Sequence, residues 1–251
     1  MVMLTKCLSC KDNIMSLTCM PALFLGHGSP MNVLDDNDYT RGTGVTAMER
    51  PQTLHDFGGF PQALYDTHYP APGSPALAQR LVELLAPVPV ALDKEAWGFD
   101  HGSWGVLIKM YPNADIPMVQ LSVDSTKPAA WHFEVGRKLA TLRDEGVMLV
   151  ASGNVVHNLR TVRWHGDNIP YPWAASFNDF VKANLTWQGP VEQHPLVNYL
   201  QHEGGALSNP TPEHFLPLLY VLGAWDGKEP ITIPVDGIEM GSISMLSVQV
   251  G

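Results

Sequence analysis

Four histidines stand where an imidazole could do chemistry: His27 in LGHGSP, His101 in FDHGSW, His157 in SGNVVHN and His214 in TPEHF. Each lies beside glycine or small polar residues just past an apolar run. Such a run ending in a turn reads as a buried strand that delivers its last residues to the carboxyl edge of a sheet, where open α/β folds hold ligands. Several imidazoles on one such edge point to a metal site. Taken singly, each is as well explained by a hydrogen bond inside a core or a turn, so the coincidence of four carries the reading. His27, His157 and His214 together make a nitrogen-rich site suited to Zn(2+) or non-haem Fe(2+). Open positions on such a metal serve metal-assisted hydrolysis or oxygen activation, and spacing does not choose between them.

The local settings assign further roles. Thr211 and Pro212 predict the start of a helix with Glu213 and His214 in its first turn; the positive end of the helix would keep His214 neutral, and Glu213 offers a carboxylate. His157 follows a buried strand through a Ser152-Gly153-Asn154 turn, a good place for a general base or ligand. His27 lies between two glycines, which permit close approach of a ligand. Asp100 is positioned in sequence to orient His101. His132, between Trp131 and Phe133, reads as a packing residue, and His55, His68, His165, His194 and His202 read as loop or surface residues. Trp97, Trp104, Trp164 and Trp173 lie near these loops and could wall a pocket.

The elements that must position these groups alternate. A strand is predicted at Ala22 to Gly26. A helix with Ser74 as N-cap and Pro75 in its first turn carries Leu77, Leu81, Leu84 and Leu85 up to Pro87. Strands are expected at Val88 to Leu92, Met118 to Val123 and Val147 to Ala151, with a helix from Ala129 to Gly146 before the last. Helices follow around Phe177 to Leu185 and Pro212 to Leu222, then β-rich stretches at Ile231 to Val235 and Ile243 to Val250. This pattern describes a single α/β domain with a mixed, largely parallel central sheet and helices on both faces. Asp35 to Asp56 breaks the rhythm: it offers at most a short strand around Val45.

The chain has 251 residues, 45% hydrophobic and 16% charged, which suits one large core. A net charge of -10 opposes nucleic acid or an anionic membrane as partner and favours a small molecule. Cys7, Cys10 and Cys19 all fall in the first twenty residues, a stretch expected to be a poorly ordered extension, with residues 21–251 as the catalytic domain. Lys6, Lys11 and Asp12 interrupt any apolar run long enough for a signal peptide or span, so the expected location is cytoplasmic. Nothing fixes an oligomeric state.

Several long segments, in order, resemble the class III extradiol ring-cleavage dioxygenases: LFLGHGSPMN, HDFGGFPQALYDTHYPAPG, WGFDHGSWGVLIKMYPNADIPMVQLSV, LVASGNVVHNLR, NPTPEHFLPLLYVLGA and GSISMLS. The resemblance implies cleavage of a small catechol such as L-DOPA beside its two hydroxyls, using O2 and a non-haem Fe(2+), with Zn(2+) found in some members. By resemblance, His27 and His214 match metal ligands, His157 a base or further ligand, and His101 the acid of ring opening. Members also carry, before GTGVTAM, a helix and a buried strand ending in Ser-Ala-His-Trp, whose histidine is a ligand. Here Tyr39-Thr40-Arg41 runs directly into Gly42-Thr43-Gly44, so the domain is expected to lack that helix and strand after about residue 41, leaving sheet edges exposed and the site one ligand short. His55 is a candidate to move into that vacancy. Three functions follow as expectations: an extradiol dioxygenase, impaired by the loss; a metal-binding remnant without turnover; and a zinc hydrolase.

Overall fold

In the computed structural model, the described residues are 1–6, 19–27, 42–164 and 168–251. In chain order the elements are β1 Val2–Lys6, β2 Ala22–Gly26, β3 Gly44–Thr46, β4 Gln52–Thr53, α1 Gln62–Tyr65, α2 Pro75–Leu85, β5 Ala91–Asp93, β6 Gly98–Phe99, α3 His101–Met110 and β7 Met118–Leu121. They continue with α4 Ala129–Asp144, β8 Val147–Gly153, α5 Pro172–Ala183, α6 Gly205–Ser208, α7 Leu216–Gly223, β9 Ile231–Val235, β10 Ile238–Glu239, β11 Ile243–Ser244 and β12 Ser247–Val250. One sheet runs in the order β5-β3-β7-β1-β8-β2-β12-β9. It is mixed: β2 pairs with β8, and β3 with β5, in parallel, while the other neighbours are antiparallel.

Period-two alternation sorts the side chains onto two faces. Val2, Leu4, Phe24 and Leu149 join Leu77, Leu81 and Leu85 of α2 and the buried faces of α4, α5 and α7. On the opposite face Met3, Met118 and Val150 pack with Trp104 and Leu107 of α3. Helices therefore cover both faces, as the alternating pattern led us to expect. The α2 start is built as its sequence reads, with Ser74 Oγ accepting from Leu77 N at 3.3 Å ahead of Pro75. Arg143, 2% exposed, forms a paired contact with Glu229 at 2.7 Å and donates to the carbonyls of Met20 and Ala224, tying the entry to β2 to the carboxyl-terminal strands.

Two expectations are corrected here. The first residues do not lie outside the fold: Val2–Lys6 form β1, paired antiparallel with β7 on one side and β8 on the other. The physical reason is its alternation of Val2 and Leu4 with Met3, apolar toward both faces, which only an interior strand can satisfy. Residues 7–18, including Cys7 and Cys10, lie outside the described residues, and Cys19 is an exposed thiol. The second correction follows from the first. The sheet was expected to be left with open edges by its missing strand, yet between β7 and β8 the facing edges are closed by β1.

Candidate active site

The four histidines converge. His27 follows β2, and its ring centroid lies 6.2 Å from that of His101 and 5.4 Å from that of His214. His157 stacks on His214 with centroids 3.5 Å apart and planes at 7°. The set thus runs His101, His27, His214, His157 along the carboxyl edge of β2 and β8. Backbone pairing sets the row: His27 N donates to Gly153 O at 3.3 Å, Asn154 N to His214 O at 2.9 Å, and His157 N to Ser208 O at 2.8 Å. A Cβ at position 153 would collide with the His214 carbonyl, so glycine is what lets the His214 segment close on the end of β8.

Each ring is oriented by a named partner. His27 Nδ1 pairs with Ser152 Oγ at 2.8 Å. His214 Nδ1 lies 3.3 Å from Glu213 Oε1, which also accepts from Thr211 Oγ1 at 2.6 Å. His101 Nδ1 donates to Asp56 Oδ1 at 2.8 Å, and the same oxygen accepts from His101 N at 3.1 Å. The side chain of His157 is the exception: its Nε2 is buried without a hydrogen-bond partner among the described residues.

Two local expectations change. The helix after Thr211 begins only at Leu216, so His214 sits in the preceding turn and Thr211 serves Glu213 rather than a helix end. His214 is held below the usual histidine range by burial, against the opposing pull of Glu213. Asp100 does not orient His101; it caps α3, accepting from Ser103 N at 3.0 Å, and the orienting carboxylate is Asp56, 45 residues away in sequence.

Burial and the neighbouring histidines keep His27, His157 and His214 neutral. His27 is pushed well below the usual range by burial and then by His214 and His101, and His157 is brought down to about 2 by burial and His214. Burial also pulls Glu213 upward, but its hydrogen bonds from His214 and Thr211 outweigh this and leave it lowered. Neutral imidazoles keep a lone pair for a metal. His27 and His214 fit as a pair of such donors with their Nδ1 atoms already engaged, and the orphaned His157 Nε2 is a third nitrogen of the right chemistry. Their arrangement, however, stops short of a complete cage: among the described residues no three His, Cys, Asp or Glu side chains are grouped to hold an ion.

Beside His27 and His101 lies a cavity of about 510 Å³, walled by Phe57, Phe60, Leu64 and Trp104. Its wall is held by pairing of β4 with β6 and by Trp104 Nε1 donating to Leu54 O at 2.8 Å. Of the tryptophans expected near a pocket, only Trp104 lines this cavity among its described residues; Trp97 is buried, Trp164 is 54% exposed and Trp173 stacks on Tyr171. His132 is fully buried with Nδ1 against Tyr220 OH at 2.9 Å, a packing histidine as read. His55 donates from Nε2 to Thr67 O at 2.8 Å, which commits that nitrogen away from the row.

The neutral buried histidines away from the row make a prediction about stability. Burial holds His132 and His194 at about 4, against 6.5 for an exposed imidazole. Between those values the unfolded chain binds protons that the native chain refuses, so their contribution is complete above pH 6.5 and is lost as pH falls toward 4. Each accounts for roughly 1–2 kcal/mol by pH 5. A thermal melt at pH 5 should show Tm several degrees below that at pH 7.5; an unchanged Tm would contradict the neutral assignment.

Comparison with known proteins finds a family model and several relatives. A family model described as the catalytic LigB subunit of aromatic ring-opening dioxygenase matches residues 24–245. The 4,5-DOPA dioxygenase extradiol of Escherichia coli (strain K12) is 80% identical over 266 residues, covering 96% of this chain and 98% of the relative. The protein of the same name from Beta vulgaris is 36% identical over 234 residues, covering 80% and 85%. A crystal structure of an uncharacterized protein from Escherichia coli K12 superimposes with a TM-score of 0.80 at 75% identity, covering 92% of this chain and all of that one. The alignment of 266 positions exceeds the 251 residues here, so the Escherichia coli relative carries residues with no counterpart in this chain. With the family model spanning most of its length, the chain belongs to the LigB family of aromatic ring-opening dioxygenases.

Proposed function

We propose that the protein opens the ring of a small catechol such as L-DOPA beside its hydroxyls, incorporating both atoms of O2 to give a semialdehyde. The observation that carries this reading is the convergence of four histidines from separate segments, two of which, His27 and His101, line an aromatic-walled cavity of about 510 Å³. The relatives' names support the catechol. His27 and His214 would hold a Zn(2+) or Fe(2+) ion, with His157 a further ligand in a Zn(2+) form and, in the Fe(2+) form, left off the metal as a base. Such an ion, when bound, supplies Lewis acidity toward the catechol oxygens and a place for O2.

The protein's own groups do the rest. Phe57 and Trp104 flank the cavity and offer aromatic faces against which the ring would pack. His157 Nε2 accepts a proton from a catechol hydroxyl, and the anionic oxygen left beside it favours the imidazolium. Asp56 takes the hydrogen bond from His101 Nδ1, so Nε2 is the nitrogen left for proton transfer at the cavity. Asp56→Ala should lower kcat about 10- to 100-fold, the usual cost of losing an orienting partner, with Asp56→Asn retaining more. Saturating oxygen-uptake assays check this; equal rates in all three proteins would remove Asp56 from the mechanism.

The test of the function is oxygen uptake by anaerobically Fe(2+)-loaded protein on adding L-DOPA, with the yellow ring-opened product followed by absorbance. Uptake with product supports the proposal. A second reading, a metal-binding remnant without turnover, is favoured by the residues of the Escherichia coli relative that have no counterpart in this chain. It predicts stoichiometric metal with neither uptake nor product. Hydrolysis that proceeds without O2 would point instead to a zinc hydrolase.

A further inference from the structure

The outward line of α3 at the cavity has no part in the row of histidines. Gly105 and Lys109 both line the cavity, one helical turn apart, and both are exposed. A Cβ built on Gly105 meets nothing within 4 Å, so the glycine is not required by packing. Glycine inside a helix costs about 1 kcal/mol relative to alanine, and this one sits mid-helix facing open space. What it does is leave the cavity wall clear. Helical side chains lean toward the amino terminus and cover the turn before their own Cα, so the Lys109 stem lies over the clearing that Gly105 leaves. Lys109 is also the one Lys or Arg among the described lining residues, whose other members are apolar or neutral apart from His27 and His101. In a chain of net charge -10, one ammonium at the mouth of an aromatic-walled cavity is a selective feature for an anionic group.

We infer that Lys109 and Gly105 form a carboxylate subsite: Lys109 pairs with the side-chain carboxylate of a catechol acid or amino acid, while Gly105 leaves room for the chain that carries it. The inference rests on the proposed catechol reading and narrows its substrate class. The Lys109 backbone lies eight residues after His101, about 12 Å along the helix axis, so the ammonium stays apart from the reacting groups even with its stem leaning back over the Gly105 turn. A catechol with its hydroxyls toward His27 and an acidic substituent trailing outward fits that separation. Exposure limits the strength of such a pair, and confinement by the aromatic walls and by Gly105 gives it direction.

The experiment is equilibrium binding under strict anaerobiosis to the Zn(2+)-loaded protein, by calorimetry, with L-DOPA and with 4-methylcatechol, which lacks the carboxylate. The ratio of the two Kd values is the readout. The wild type should prefer L-DOPA, K109Q should lose about two- to fivefold of that preference, K109R should keep most of it, and K228Q, an exposed lysine elsewhere, should leave the ratio as in the wild type. Gly105→Leu should weaken L-DOPA more than 4-methylcatechol while Tm stays at, or a few degrees above, that of the wild type. Equal preference in wild type and K109Q would overturn the subsite and leave the catechol reading standing. Failure of the wild type to bind either compound would overturn both.

Discussion

Leu4→Asp is expected to abolish cooperative thermal unfolding, whereas Leu4→Val should cost only about 0.5–1.5 kcal/mol, as small core truncations do. Leu4 is fully buried in β1, the strand closed on both edges at the middle of the sheet. Truncating a buried leucine alone costs about 2–5 kcal/mol, and the aspartate adds a carboxylate with no cation to meet it. A domain stable by about 5–15 kcal/mol does not absorb both. Loss of β1 also leaves the facing edges of β7 and β8 unpaired, the condition that invites association between chains. Circular dichroism melts and size-exclusion chromatography read the two effects. A variant that melts like the wild type as a discrete species would show that residues 2–6 do not close the sheet.

That strand marks the boundary of what the sequence made legible. β2, α2 and β9 were readable to the residue or nearly so, because Ser74 and Pro75 punctuate one and short apolar runs bounded by turns define the others. β1 carries the same alternation, but the polar, cysteine-bearing segment that follows it hid the fact that its partners lie more than a hundred residues away. Helix α3 was missed because Gly102 and Gly105 dilute its pattern, although Asp100 followed three residues later by Ser103, then Trp104 and Leu107, contains a cap and a buried stripe. Asp56 could not be linked to His101 from spacing at all: the link is made by the pairing of β4 with β6, a tertiary fact. The histidines themselves were legible because His27 and His157 follow apolar runs and His101 and His214 sit beside small or polar residues, and their order along the sheet edge was not, since it depends on which strands are neighbours.

The second large effect separates the histidine row from histidines that merely pack. His214 holds the middle of the row, 5.4 Å from His27 and stacked on His157, so His214→Ala removes one donor and the support of another. Bound metal, measured by elemental analysis after Fe(2+) loading and desalting, should fall beyond the 10- to 100-fold affinity loss typical of an orienting partner. Oxygen uptake with L-DOPA should fall about 10³-fold or more, the several kcal/mol that a metal contributes at a reacting oxygen. His27→Ala should match it. His132→Gln makes the contrast: His132 is fully buried against Tyr220, so its loss should lower Tm while metal content stays at wild-type stoichiometry. If His214→Ala and His132→Gln instead share one profile, lowered Tm with metal retained, the row is a packing device and the metal lies elsewhere. If His214→Ala loses metal and turnover with little change in Tm, the neutral pair of His27 and His214 is the centre on which the family's chemistry is built in this chain.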